Sequence, residues 1–148
     1  MGYTQKWNYQ IEKDGVVVAK MRTCSEINWE AQDVDVPEAG NPLVHKEPGA
    51  IDVPDVTMER GIGIDDTFHE EAQKTVDFVE GGGVVVDALK SDYDVVDLDR
   101  DGSELRRVTM VNAYVKGYSF GDRDASARGD ITIEKIVFRY DYPRKSTL

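Results

Sequence analysis

The stretch that most constrains the fold runs from residue 107 to residue 142, where two segments of alternating character flank a charged loop. Residues 107–120 and 131–142 both read as strands, whose successive side chains point to opposite faces of a sheet. In the second strand the apolar parity changes, from the isoleucines at 131 and 133 to Ile136 and its successors. This change predicts a β-bulge or sharp bend near Glu134–Lys135. Such bends allow a sheet to curl into a barrel or to turn a corner between two sheets.

Other segments also read as strands and predict a mainly β chain. They are residues 7–12, joined by a Lys13-Asp14-Gly15 turn to 16–21, and then 27–36, 55–60, 84–89 and 93–98. Residues 97–102 match the opening of a calcium-binding loop. The twelfth position of that loop would be Val108, where the ion requires a bidentate Glu, so we predict a hairpin turn instead.

One helix is predicted to begin at Thr67, because Glu70 follows three residues later, at the spacing of a capping box. Three glycines at 81–83 are expected to end it. The helix has one apolar stripe, which we expect to cover an open end or side of the sheets. The stripe consists of Phe68, Ala72, Val76 and Val79.

Residues 37–55 contain four prolines and two glycines. Proline removes a backbone donor, so we predict a long Pro-rich loop outside the sheets. Loops of this length tend to be functional or ordered by a partner. The predicted fold class is therefore mainly β: a β-barrel-like pair of packed antiparallel sheets with one α-helix and a long Pro-rich loop. Residues 1–148 are predicted to form a single domain.

Composition and charge narrow the function. The chain has 148 residues, 40% of them hydrophobic, and a formal net charge of −11. This charge argues against wrapping nucleic acid, which requires Lys and Arg on phosphates. An acidic surface either provides solubility or repels a polyanionic cargo. No apolar run approaches the roughly 20 residues that span a bilayer. The N-terminus lacks the apolar core of a signal peptide, so we expect folding in the cytoplasm.

No constellation of catalytic residues is visible. Cys24 is the single cysteine, which excludes an internal disulfide and a thiolate metal cluster. His45 and His69 lack the spacing of a metal pair and have no evident nucleophile nearby. We therefore predict no catalytic residue, no metal site and no cofactor, and a small hydrolase is the least favoured alternative.

Several segments together resemble the tail tube proteins of contractile-tailed phages and related contractile injection systems. Residues 21–41 are similar to a bent strand that ends in an acidic-Ala-Gly-Asn loop, and residues 56–61 to a strand that ends in a basic residue and Gly. Residues 102–113 resemble a hairpin that runs into an Asn-Ala pair. Residues 125–140 resemble the closing loop and final strand, with Ile133-Glu134 at the Ile/Val-Glu step. The chain departs from the family pattern in a longer segment at 82–94 and in lacking a His near the end of the last strand.

The resemblance implies a structural protein of the virion tail, assembled in the host cytoplasm as hexameric rings that stack into a tube. It implies contacts with sheath, tape measure and baseplate proteins, and an acidic lumen that passes DNA or protein cargo without binding it specifically. No membrane is involved. It also implies that the Pro-rich segment meets a neighbouring ring or subunit, with candidate contacts at Pro37, Glu38, Asn41, Pro42, His45 and Pro48. The candidate acidic residues of the lumen are Asp92, Asp94, Asp97, Asp99, Asp101, Asp122, Asp124 and Asp130.

Two other functions remain open from the sequence. One is a hexameric ring protein like those of type VI secretion systems, which share this fold by resemblance. The other is a monomeric β-barrel binding module with a ligand under the Pro-rich loop, for which an apolar pocket inside the barrel would be the indication. The nature of the cargo, phage or phage-derived origin and the assembly initiator are likewise undetermined by the sequence.

Overall fold

The computed structural model describes residues 5–13, 16–19, 21–61, 67–82, 89–126 and 128–146, which contain ten strands and one helix. In chain order these are β1 (Tyr9–Lys13), β2 (Val16–Ala19), β3 (Thr23–Cys24), β4 (Glu30–Val36), β5 (His45–Asp52), β6 (Val56–Gly61), α1 (Thr67–Glu80), β7 (Ser91–Leu98), β8 (Glu104–Ser119), β9 (Ile133–Arg139) and β10 (Tyr142–Ser146).

The 16-residue strand β8 organises the fold because it belongs to two sheet regions. Its first half lies between β7 and β10, and its second half pairs with β9. The strand order is β2-β1-β7-β8-β9-β6-β3, with every pairing antiparallel. The mainly β, antiparallel fold class with one helix is thereby confirmed. No closed barrel forms among the described strands: β2 and β3 lie at opposite ends of this order.

The prediction of a bulge at Glu134–Lys135 is wrong. β9 pairs with β6 in continuous register over its whole length. Glu134 is only 4% exposed and occupies the same face as the fully buried Ile136 and Phe138. The apparent change of parity is therefore a charged residue in a core position. The register shift lies instead in the β8–β9 pair, on β8 between Val115 and Gly117.

The hydrophobic core gathers side chains from both halves of the sheet. Tyr93 of β7 packs its ring against that of Phe138 of β9, with centroids 4.9 Å apart. Fully burying one such large apolar side chain stabilises a fold by about 1.5–3 kcal/mol. The largest fully buried side chains are Phe138, Ile11, Met58, Met110, Ile136, Val56 and Val96.

Asn112 marks the point at which β8 changes partners. It has a φ of 53°, the only positive φ among the described non-glycine residues. Its backbone N–H donates to Oδ1 of Asp92 at 2.9 Å, and its side-chain amide donates to Oδ2 of Asp141 at 2.9 Å. Asn tolerates the left-handed conformation better than most residues, and here its amide also fixes the junction between β9 and β10.

We expect Asn112→Ala to lower the free energy of unfolding by about 1–3 kcal/mol, because Ala is strained at positive φ and loses the bond to Asp141. Asn112→Gly relieves the strain and loses only the side-chain bond, so its cost should be smaller. Urea unfolding of the two variants measures the difference. Equal stability of the Ala and Gly variants would show that the backbone is not strained at this position.

Helix α1 begins at Thr67, as predicted, and ends at Glu80. The N–H of Gly81 donates to the carbonyl of Asp77 at 2.9 Å, and Gly82 has a φ of 95°, the left-handed ending that favours glycine. The helix packs against β8 and β2. Among the described residues no helix has the length and apolar character needed to cross a membrane.

The apolar stripe of α1 is only partly buried, contrary to prediction. Ala72 is 7% exposed, whereas Val76 and Val79 are 48% and 69% exposed. The side chain of Phe68 lies outside the described part of the chain. The second half of the helix therefore leaves apolar surface in solvent.

The segment predicted as a long Pro-rich loop is largely a β-hairpin. β4 and β5 form a separate two-stranded sheet, and we call residues 30–52 the arm. Within the arm only residues 37–44 are irregular, and residues 53–55 connect it to β6. Pro48 is tolerated in β5 for two reasons. No third strand pairs with the hairpin among the strands that the structure describes, and β4 has a register shift between Ala31 and Asp33, the partner of Pro48. The segment lies outside the main sheet, as predicted.

The turn at residues 99–103 is a hairpin turn, as predicted. The N–H of Asp99 donates to the carbonyl of Ser103 at 2.8 Å, and Gly102 supplies a φ of 88°. The strands predicted at 7–12, 16–21, 55–60 and 93–98 correspond to β1, β2, β6 and β7. The turn at Asp14-Gly15 and most of the strand predicted at 84–89 lie outside the described residues.

Candidate assembly surfaces

All six predicted contact residues lie on the arm. Five of them surround its tip and Pro48 lies farther down β5; all are exposed except Asn41, which is half-buried. The tip is held by short-range polar contacts. The N–H of Asn41 donates to the carbonyl of Glu38 at 3.2 Å, and Oδ1 of Asn41 accepts from the N–H of Leu43 at 3.0 Å. Nε2 of His45 lies 3.8 Å from Oε1 of Glu38.

The arm also exposes apolar side chains that the sequence analysis did not single out. Leu43 at the tip is 74% exposed, and Val44, Val34 and Ile51 are each about half exposed. None of these belongs to the hydrophobic core. An isolated two-stranded hairpin is marginally stable in water, so an arm of this kind requires a covering surface. The signal in the sequence was the Leu43-Val44 pair between two prolines.

The predicted acidic residues of the lumen lie in three parts of the chain. Asp99 and Asp101 lie at the turn that precedes β8, whereas Asp122, Asp124 and Asp130 lie in the loop that follows it. The whole length of β8 separates these two exposed groups. Hydrogen bonds from Ser103 and Ser126 lower the pKa values of Asp101 and Asp124, respectively.

The three remaining candidates, on β7, have different surroundings. Asp92 accepts the backbone bond from Asn112 described above. Asp94 accepts from Thr109 Oγ1 at 2.7 Å and from Arg107. Burial raises the pKa of Asp97, and the charge of Arg106 partly offsets this effect.

Arg107 holds three carboxylates on one face of the sheet. Its Nη2 lies 3.2 Å from Oε1 of Glu12, its Nε donates to Glu104 at 3.0 Å, and its Nη1 donates to Asp94. The hydrogen bonds from Arg107, first that to Glu104, raise the pKa of the guanidinium. The cluster carries two negative charges in excess, and Arg144, which lies opposite Thr109 on the same face, reduces this excess to one.

A second ion pair is buried between β6 and β9. Arg60 and Glu134 are directly opposite in the register and form a salt bridge with side chains 12% and 6% exposed. The hydroxyl of Tyr118 on β8 also donates to Glu134. Sequence reasoning noted both charged residues as features of the family resemblance but did not pair them. The sequence contains a signal for the burial of Arg60, because Arg60 shares the strand parity of the buried Val56 and Met58.

A groove lies between α1 and the second half of β8. It encloses a cavity of about 200 Å³. Within the groove the hydroxyl of Thr75 on α1 donates to the carbonyl of Val115 on β8 at 2.7 Å. The ring of His69 lies 5.6 Å and 5.3 Å from those of Tyr118 and Phe120, and its Nδ1 has no hydrogen-bond partner. The lining is mainly apolar, and Phe120 is 58% exposed.

Cys24 lies against the core with two tyrosines whose hydroxyl groups are buried and have no partner, Tyr9 and Tyr140. Burial, with a smaller contribution from Asp97, raises the pKa of the Cys24 thiol to about 11. Burial, with the charge of Cys24, raises the pKa values of Tyr9 and Tyr140 to about 12. All three groups are therefore neutral at physiological pH, and the thiol is poorly reactive.

These shifts predict an alkaline loss of stability. Each acid is harder to ionise in the folded chain, so the unfolded chain releases its proton first, and stability falls as pH rises from about 9 to about 12. We expect Tyr140→Phe to reduce this fall and to leave stability at pH 7 unchanged or higher, because it removes an unpartnered hydroxyl. Thermal unfolding at pH 7 and pH 10.5 tests this. A steeper alkaline loss in Tyr140→Phe would contradict it.

Within the described residues no group of three His, Cys, Asp or Glu side chains is arranged to hold a metal ion. His45 is at the arm tip and His69 is on α1, so the two histidines occupy separate elements. Three cavities in the described part of the chain are surface grooves between elements. They lie between α1 and β8, at the base of the arm, and beside the loop that follows β8.

The sequence matches the family model described as "T4-like virus tail tube protein gp19" over residues 5–144. No curated protein sequence matches this chain significantly.

The fold is similar to several solved structures at low sequence identity. A chain of the anti-feeding prophage baseplate, 6-fold symmetrised, aligns with a TM-score of 0.75 and 14% identity, over 99% of this chain and 97% of that one. A chain of the sheath-tube complex of the extracellular contractile injection system PVC, in the extended state, aligns with a TM-score of 0.76 and 14% identity, over 99% and 93%. Hcp1 from Flavobacterium johnsoniae aligns with a TM-score of 0.58 and 12% identity, over 94% of each chain.

Proposed function

Because the chain belongs to the T4-like virus tail tube protein family, whose members are structural proteins of phage tails and contractile injection systems, we propose that it forms hexameric rings that stack into an inner tube. The observation that carries this proposal is the arm: a hairpin with exposed apolar side chains, to which no other described strand pairs. The sixfold symmetry of the anti-feeding prophage baseplate, in which a protein of this fold occurs, supports six as the ring number.

Free sheet edges support lateral assembly. Among the described strands β2 pairs only with β1, β3 only with β6, and β10 only with β8. Unpaired edges invite association with other chains, and closed rotational symmetry satisfies them without open-ended aggregation. In this proposal the edges join neighbouring subunits of one ring, while the arm reaches the adjacent ring.

The acidic character of the chain suits a conduit. A net charge of −11 per subunit gives the tube a surface that repels DNA or an acidic protein cargo. We propose that the exposed aspartates at the two ends of β8, together with the acidic face around Arg107, contribute to this lumen. The cargo passes when a surrounding sheath contracts. A baseplate lies at the end of the tube, and a tape measure protein lies in its interior. Assembly takes place in the host cytoplasm, and the product is part of a tail or injection particle.

A ring protein of the type VI secretion class is the second candidate, and the fold of Hcp1 from Flavobacterium johnsoniae is consistent with it. The two differ in their partners. If the tube binds the sheath protein encoded at the same locus and nucleates sheath assembly, the result supports a contractile tail. If the rings bind secreted effectors instead, the result supports the second candidate.

Electron microscopy of the purified protein, with its baseplate proteins as initiator, tests the proposal. We expect rings with six subunits and stacks of such rings. Because like-charged subunits repel, stacking should increase when salt is raised from about 0.05 M to 0.5 M, where screening is nearly complete beyond a few ångströms. A protein that stays monomeric with the initiator present at both salt concentrations would refute the proposal.

A further inference from the structure

Two apolar features of this chain are uncovered within the chain itself. One is the tip of the arm, Leu43 and Val44, which are 74% and 51% exposed. The other is the groove between α1 and β8, with Val76 and Phe120 exposed at its rim. Monomeric soluble proteins rarely expose large contiguous apolar patches, and such patches mark interaction surfaces. The arm tip of a chain does not fill its own groove, since Leu43 remains exposed.

We propose that the arm tip of one subunit inserts Leu43 and Val44 into the α1–β8 groove of a second copy. This inference rests on the proposed function, because it identifies the surface that the arm meets in the stacked tube. It assigns the groove as the acceptor for the arm, and it makes Val76 and Phe120 the residues that enclose the inserted side chains.

The sizes of the two surfaces agree. The groove has a cavity of about 200 Å³, and apolar cavities of about 150 Å³ hold a molecule as large as benzene, so a leucine side chain fits. β4 has seven residues, which at about 3.3 Å each extend the arm by about 23 Å from the main sheet. The tip can therefore reach a neighbouring subunit.

The arm and α1 carry net charges of the same sign, so electrostatic attraction cannot drive their docking. The arm has six carboxylates and one lysine, hence a charge of −5 with His neutral, and α1 has four carboxylates and one lysine, hence −3. The contact must therefore be apolar at its centre, which is the character of both Leu43 and the groove. It also explains why screening by salt should favour stacking.

The contact is heterologous, because arm tip and groove are different surfaces. A subunit that donates its arm keeps its own groove available, so the same contact repeats from one copy to the next. An interface of this kind propagates, as the stacking of rings requires. A self-complementary contact between two arms would stop at a pair.

Disulfide trapping between two single-cysteine proteins tests the proposal. In a Cys24→Ala background, one protein carries Leu43→Cys and the other Val76→Cys, and the two are mixed in equal amounts under assembly conditions and oxidised. A covalent dimer of one of each can form only between chains. The control mixture pairs Leu43→Cys with Leu105→Cys, which is 43% exposed, close to the exposure of Val76, but lies on the first half of β8.

We expect the Leu43/Val76 mixture to give about tenfold more covalent dimer than the control, because docking raises the effective concentration of the two thiols to the millimolar range. Electron microscopy of the same samples separates the two proposals. Assembled tubes without this excess of the Leu43/Val76 dimer would overturn the docking assignment and leave the tube intact. Absence of any assembly would overturn both.

Discussion

Glu134→Ala is expected to lower the free energy of unfolding by about 3–5 kcal/mol, because it leaves the charge of Arg60 buried without its partner. The pair is enclosed between β6 and β9, and the hydroxyl of Tyr118 also loses its acceptor. Urea unfolding of the unassembled chain measures the change, with the slope of the unfolding transition checked for constancy.

Two controls make this prediction specific. Glu59 and Lys135 form the neighbouring cross-strand pair on the same two strands, but their side chains are 33% and 52% exposed. Glu59→Ala should therefore cost no more than about 1 kcal/mol. The double variant Arg60→Met/Glu134→Leu replaces both buried charges and should recover most of the lost stability. A cost for Glu134→Ala equal to that of Glu59→Ala would show that the buried pair has no special weight.

Excision of the arm is expected to abolish stacking while leaving the domain folded. Glu30 and Asp52 are directly paired at the base of the hairpin, so a two-residue Asn-Gly turn can replace residues 31–51. The excised segment contributes no residue to the hydrophobic core. We expect a cooperative thermal transition close to that of the intact chain, and no stacked rings in electron micrographs.

A milder variant tests whether the apolar tip is responsible. Leu43→Asp keeps the hairpin and adds one charge, and it should reduce stacking nearly as much as excision does. Leu105→Asp adds the same charge at a residue of similar chemistry outside the arm and groove, and it should leave stacking unchanged. Tubes formed as readily by the arm-excised protein as by the intact chain would refute the role of the arm.

The regular elements of the main sheet were predictable because their side chains alternate according to burial. β6 shows this alternation, and α1 has both a capping-box spacing and a terminal glycine. The hairpin turn at Gly102 was predictable for the same local reasons. These elements establish the fold class, and the spacing of several short motifs indicated the family.

Two features escaped prediction for a common reason. The apolar parity of Ile131 and Ile133 predicts a bulge near Glu134, but Glu134 itself occupies a core position. Pro48 and Gly49 predict a loop where the strand β5 forms. In both cases the residue is compatible with its position only through another segment. Glu134 depends on Arg60 across the sheet, and Pro48 depends on the arm being paired on one side only. Periodicity within one segment contains no information about such partners.

The sharing of β8 by both halves of the sheet has a mechanical consequence. A force that slides the β1–β7 region past the β6–β9 region acts along a single continuous backbone rather than across a joint between separate layers. Rupture then requires the whole β7–β8 ladder or the whole β8–β9 ladder to break. The subunit is consequently stiff under shear along that strand, and deformation under load is directed to the arm and to the loops at the two ends of β8.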